Sequence, residues 1–282
     1  MPTTYAHWAF GRECIELMPK DMQRIVNEHR DIFNIGVHGP DIFFYDLLHS
    51  DVTKYGSGMH FIPAKEFFSK CKEVLLSHKK NEREEMLSYV LGFLSHFTLD
   101  STVHSYVDRK KEVSKISHNY IESQWDRHVM ELDNRKPNLV DRAESLKPNK
   151  NIAKAISYFF PFDEKVILRT CRWQRFIVYM TNAITPLKQN IFQKILHKIG
   201  KPDYADLFIG FEEDNICKDS NLRLDKLENK ALKQYSKLLK NFLNYIDDKE
   251  KLIKYFDHDF SDWPDYKEIP VLSYKKELTY KV

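Results

Sequence analysis

The sequence predicts an all-α protein, a multi-helix bundle of roughly eight to ten helices. Apolar residues recur at steps of three and four over long stretches, sustained period-two alternation is missing, and clusters of glycine and proline fall between the periodic stretches. The stretch Lys65 to His78 sets Phe67, Phe68, Cys71, Val74 and Leu75 on one side. Arg83 to Val107 does the same with Met86, Leu87, Val90, Leu91, Leu94 and Thr98. Phe162 to Ile184 continues with Val166, Ile167, Trp173, Phe176, Ile177 and Met180, and Leu227 to Tyr245 with Leu232, Tyr235, Leu238, Leu239 and Phe242. Gly36-Val37-His38-Gly39-Pro40-Asp41 and Gly56-Ser57-Gly58 read as loops, because clustered Gly and Pro interrupt a helix. Lys147-Pro148-Asn149-Lys150 marks a seam between residues 1–146 and a helical C-terminal region, 147–282, packed on them. The polar, aromatic tail after Asp262 shows no period and is expected to drape over the body.

Composition excludes several function classes. The net charge of +3 over 282 residues gives no basis for electrostatically driven nucleic-acid binding. With 8 glycines there is no dinucleotide or P-loop fingerprint, and no GxSxG elbow occurs. Cys14, Cys71, Cys171 and Cys217 are widely spaced and form no CxxC pair, which predicts free thiols in a reducing compartment. No basic, apolar leader opens the chain and no run is long enough to span a membrane, so a cytoplasmic location is expected.

Ten of the twelve histidines precede residue 130. Taken singly, most read as satisfied surface or core histidines. The exception is His96, Asp100 and His104, whose four-residue steps share one helical stripe inside an apolar stretch. Each would cost about 1–3 kcal/mol if buried without a partner, a cost that either metal ligation or a hydrogen-bonded His–Asp–His ladder removes. His96 and His104 lie about 12 Å apart along the axis, too far for one ion with bonds near 2 Å. If both are ligands there are at least two metals, and the Asp100 carboxylate lies between them. His118 and Glu122 form a second four-residue pair after a short connection, with Ser114 or Ser117 as the helix cap. Asp41, in the first loop, is either an exposed functional carboxylate or an N-cap. His60 is expected at the start of a helix, and His7 near the chain start. Tyr45, Tyr55, Phe61 and Phe93 could line an acyl-facing or base-stacking pocket, although ordinary core packing is the plainer reading. Phe43, Phe44, Tyr158, Phe159 and Phe160 read as core or interface rather than as membrane anchors, and Lys226, Lys230 and Lys233 as a solvated helix face.

The ordered runs TYAHWAFG, IGVHGPDIFFY, GSGMH, GFLSHFTLDSTVH and SHNYIESQWDRH, over about residues 4 to 130, resemble the bacterial zinc-dependent phospholipase C family, part of the phospholipase C/P1 nuclease superfamily. The resemblance implies an all-α bundle with two or three Zn2+ ions. One would be held by His60, His96 and Asp100, a second by His104, His118 and Glu122, and a third by His7 and the bridging Asp100. Asp41 falls where the family has a carboxylate at the cluster, proposed as general base. The implied chemistry is hydrolysis of a phosphodiester by zinc-activated water. The implied substrate is a phospholipid, cleaved to diacylglycerol and a phosphorylated head group, with room for peripheral contact with a membrane surface. Secreted members complete the third zinc with an N-terminal tryptophan amine. This chain begins Met-Pro and shows no C-terminal lipid-binding β-sandwich. The rivals are a P1-type nuclease sharing the same ligands and a helical protein whose zinc only supports folding. A di-iron bundle fits poorly, since it uses three-residue Glu–His spacing.

Overall fold

The computed structural model describes residues 4–182, 185–198, 200, 202–260 and 265–282. Thirteen α-helices occur among them: α1 (Thr4–Glu16), α2 (Lys20–Glu28), α3 (Arg30–Gly36), α4 (Ser50–Met59), α5 (Ala64–Ser77), α6 (Lys80–Ser114), α7 (His118–Leu132), α8 (Lys150–Ser157), α9 (Glu164–Met180), α10 (Pro186–Lys198), α11 (Pro202–Ala205), α12 (Lys218–Ile246) and α13 (Tyr274–Glu277). Ten have eight residues or more, and no strand is found among the described residues, so the fold is all-α. The four periodic stretches of the sequence correspond to α5, α6, α9 and α12. Residues 183–184, at the end of the third stretch, lie outside the described residues, as do 1–3.

Helix α6 is the axis of the bundle. It is buried on nearly every side from Tyr89 to Ser101, which is what an axial helix shows when neighbours cover it all round. α3 and α12 pack along it, and α1 and α7 lie against its ligand-bearing end. The crossing with α3 is close because it is glycine on glycine: a Cβ at Gly92 would stand 2.5 Å from the Phe33 carbonyl, and one at Gly36 2.3 Å from the Tyr89 carbonyl. Behind the polar stripe of α6, Phe67, Phe68, Phe93 and Phe97 form an aromatic layer, with Phe67 and Phe93 stacked at 3.9 Å. Each such buried ring stabilises the fold by about 1.5–3 kcal/mol.

Three turns set the site. Lys115 adopts the left-handed conformation (φ 59°) and ends α6. Ser117 Oγ then accepts from the Tyr120 N–H and starts α7 at His118. At the other end, Asp126 of α7 accepts from the Thr4 and Ala6 N–H groups (3.1 and 2.8 Å), fixing the start of α1 three residues before His7. Arg142 lies against Asp126 at 3.5 Å and ties it to Thr181 and Asn182 beyond α9.

Several sequence expectations are corrected. Gly56-Ser57-Gly58 is not a loop but the last turns of α4, and a Cβ at Gly56 would stand 2.7 Å from Phe43 Cβ. Close packing, not chain flexibility, accounts for that glycine. His60 accordingly follows the end of α4 rather than opening a helix. Asp41 lies within a 3-10 turn, Gly39–Tyr45, and its side chain caps nothing. Tyr158 is exposed, packing its ring edge against His78, whereas Phe43, Phe159 and Phe160 are buried and Phe44 partly so. Lys230 and Lys233 are solvated, but Lys226 donates to the Glu277 and Tyr280 carbonyls. The tail gains a 3-10 turn at Tyr266–Glu268 and the helix α13, and is pinned by a buried pair between Arg223 and Glu277.

Candidate metal centre

All eight side chains singled out in the sequence converge on one buried region at the ligand-bearing end of α6. Asp100 is its hub and is fully buried. Its Oδ1 faces His7 Nε2 at 3.1 Å and His104 Nε2 at 3.7 Å, and its Oδ2 faces His96 Nε2 at 3.0 Å and His60 Nε2 at 4.0 Å. One carboxylate thus presents each oxygen to two imidazoles from different directions. Asp41 Oδ1 faces His60 Nε2 at 2.9 Å, and its Oδ2 faces His96 Nε2 at 3.7 Å. Glu122 Oε1 lies 2.9 Å from His118 Nε2 and 3.4 Å from His104 Nε2. The ligand atoms of His7, Asp41, His96 and Asp100 lie within 4.8 Å of one another, as do those of His104, His118 and Glu122. The 3.7 Å approach of His104 to Asp100 joins the two sets.

The proton positions say what these groups fit. His60 Nδ1–H donates to the Gly56 carbonyl at 2.8 Å, His104 Nδ1–H to the Phe260 carbonyl at 2.9 Å and His118 Nδ1–H to the Asp108 carboxylate at 3.0 Å. An imidazole carrying its proton on Nδ1 turns a lone pair outward from Nε2. Each of those lone pairs faces a carboxylate oxygen, acceptor against acceptor, an arrangement that a cation or an added proton must relieve. Orphaned buried atoms agree: Asp41 Oδ2, both Asp100 oxygens, both His96 nitrogens, His7 Nδ1 and Glu122 Oε2 have no hydrogen-bond partner. The donor set of imidazoles and carboxylates suits zinc, so the residues fit Zn2+.

Charge follows the same logic in the metal-free chain. Burial opposes ionisation of Asp100, but the imidazoles of His104, His96 and His7 outweigh it and hold the carboxyl well below the usual range. Burial would depress His104, yet Asp100 and Glu122 push it up to about 10. His118 and His7 rise in the same way beside Glu122 and Asp100 respectively, and Glu122 is lowered despite its burial by His118 and His104. Protons therefore stand where cations would, and metal binding releases them.

The centre is nearly closed. His118, with its side chain 22% exposed, is its open edge. Phe61, beside His60, is exposed, whereas Tyr45 and Phe93 belong to the core and Tyr55 packs against Phe43, Phe160 and Phe162. The C-terminal region closes the opposite side: the Phe260 N–H donates to the His60 carbonyl at 3.2 Å, and its ring lies against His60, His96, Phe93 and Phe97. Three contributors escaped the sequence reading. Asp108 continues the stripe 96, 100, 104 by one further step, a signal that was there to read. His38 is buried beside His7 and His96, and burial holds its imidazole well below the usual value. Phe260 left no local signal. The reach of the terminal amine lies outside the described residues.

No curated protein and no solved structure gives a significant match to the chain. A family model does: its description is zinc dependent phospholipase C, and it covers residues 6–166, more than half of the sequence and every candidate ligand. With the imidazoles, the bridging carboxylate and this match in agreement, the chain belongs to the zinc-dependent phospholipase C family.

Proposed function

We propose that the protein cleaves the glycerol-side phosphodiester bond of a phospholipid with water, releasing diacylglycerol and a phosphorylated head group. The observation that carries the reading is the Asp100 carboxylate shared between two sets of inward-facing imidazoles. A shared carboxylate holds cations close enough together to act on one anionic diester. Asp41, His60, His96 and Asp100 would hold one ion, His104, His118 and Glu122 a second, and His7 with Asp100 a third. Zinc bound there would supply positive charge for the phosphate oxygens and acidify a water molecule. Asp41 Oδ2, buried and without a hydrogen-bond partner, takes a proton from the attacking water, while Oδ1, opposite His60 Nε2, would stay with the ion that His60 helps to hold. Asp108 and the Gly56 and Phe260 carbonyls fix the imidazole orientations, so little reorganisation accompanies the reaction. The phosphate enters past His118 and leaves the acyl chains outside. Neither a serine nor a cysteine nucleophile is needed; all four thiols are buried and free.

The test combines elemental analysis with turnover of lecithin, single-stranded DNA and a chromogenic diester, for the parent chain and for Asp100→Asn and His118→Ala. The reading expects at least two zinc ions, lecithin cleavage, and loss of both in the variants. Full zinc content and full turnover in both variants would overturn it. Cleavage of DNA but not lecithin would make the protein a nuclease.

A further inference from the structure

Helix α10 is built inside out. None of its residues is buried, and its outer face carries Leu187, Ile191 and Ile195, which are 69%, 48% and 49% exposed. Their four-residue spacing makes one continuous apolar stripe. Asn190, Lys194 and Lys198 stand exposed beside it, and the helix holds no acidic residue. Its inner side makes the contacts with the body: Phe192 packs on Phe208, Gln193 donates to the Ala205 carbonyl at 3.1 Å, and Lys188 donates to the Asn182 carbonyl at 3.1 Å beneath the Tyr179 ring. The stripe is therefore not a core face that failed to find its partner, because the helix already has one on the other side. Phe176 and Tyr179 of α9 are each about half exposed, and Tyr179 meets α10 through Lys188. The arm is also tied to the open edge of the metal centre. Asp206, the residue after α11, accepts from Ser117 Oγ at 2.5 Å, and Ser117 caps the helix that starts with His118.

We propose that α10 is a membrane-surface helix, laying Leu187, Ile191 and Ile195 into the headgroup–acyl boundary of an anionic lipid surface while Lys194 and Lys198 reach lipid phosphates. Apolar residues flanked by lysines that can snorkel, with no negative charge, match such a surface. A second copy of the chain fits less well. A 13-residue face about 20 Å long and 10 Å wide offers about 200 Å2, against about 800 Å2 per partner in a standard interface. Parallel copies packed face to face would also oppose lysine to lysine. The substrate side of the proposal rests on the phospholipid reading above. The binding side does not.

The experiment sediments the zinc-loaded full chain with vesicles of phosphatidylcholine and phosphatidylserine at 3:1, and with phosphatidylcholine alone. It compares the parent with Ile191→Asp and with Lys194→Glu/Lys198→Glu, and turnover of a soluble monomeric diester serves as the control. The charge-reversal pair should weaken partitioning into the anionic vesicles by at least about thirtyfold, from the loss of two lysines near the surface. Ile191→Asp should weaken it by at least about tenfold on both vesicles. Diester turnover should stay at the parent level in both. Absence of parent binding, or variants that bind as tightly as the parent, overturns the proposal. So does a concentration-dependent dimer in sedimentation velocity that Ile191→Asp splits, which would assign the stripe to protein contact. A parent that binds vesicles but hydrolyses neither lipid nor diester leaves the surface intact and overturns the proposed function instead.

Discussion

Gly39 is where the backbone and the metal centre meet most tightly. It sits at φ 51°, and a Cβ added there would stand 2.1 Å from His96 Cδ2, 2.5 Å from Cγ and 2.6 Å from Nε2. Reaching an ordinary 3.4 Å contact requires the ring to move by about 1.3 Å, well beyond the ~0.5 Å within which a functional group keeps its geometry. Gly39→Ala should therefore cost about 1 kcal/mol for left-handed backbone and about 1–3 kcal/mol for overpacking, or roughly 2–4 kcal/mol together. That is a fraction of the ~5–15 kcal/mol typical of a domain, so the chain should still fold. Zinc should bind at least about tenfold more weakly at the position served by His96. Urea melts read the first quantity, and competition with a chromophoric chelator reads the second. Gly58→Ala is the control: it lies in α4 with nothing within 4 Å of the new methyl, and should stabilise by about 0.5–1 kcal/mol. Parent-level zinc affinity in Gly39→Ala would refute the reasoning, because it would mean that His96 can leave its position without consequence.

Two further outcomes follow from the same structure. Asp108→Asn keeps an acceptor for His118 Nδ1–H but removes its charge, so zinc affinity should fall about tenfold while the melt of the metal-free chain changes little; an isotherm matching the parent would deny Asp108 its orienting role. Burial on α12, with Glu13, Asp225 and Asp133 nearby, pushes the Glu228 carboxyl up from 4.5 to about 8. Between those values the folded chain holds more protons than the unfolded one, so this group's contribution is full below about pH 4.5 and is lost as pH rises through 8. Glu228→Gln should remove that slope and raise stability at pH 8 relative to pH 5 by about 2 kcal/mol, after discounting for its partial exposure, as read by urea melts at both pH values.

The parts of the site that were legible in the sequence are those whose geometry is local. His96, Asp100 and His104 share a stripe because one helix enforces the spacing, and the 12 Å separation of the two histidines already required more than one ion. His118 and Glu122 follow the same rule. The turn at Lys115 then brings that pair onto the stripe, and a short connection hinted at that without fixing it. Asp108 was equally local and was overlooked. What could not be read depends on packing between distant segments. Gly56-Ser57-Gly58 has the composition of a loop, yet contact with Phe43 holds it helical. Tyr158 shares an aromatic run with Phe159 and Phe160, but only its neighbours turn into the core. The outward stripe of α10 has the period of any amphipathic helix, and periodicity alone does not say which side meets the body.

The tether from Phe260 to His104 joins residues 156 apart. A ribosome delivers all eight side chains of the centre by Glu122, yet the carbonyl that sets the His104 tautomer emerges 138 residues later. A growing polypeptide can therefore gather the ligand set early, but the orientation of His104 waits on a contact 156 residues along the chain, and closing so long a loop carries an entropy cost that local pairs such as His118 with Glu122 do not meet.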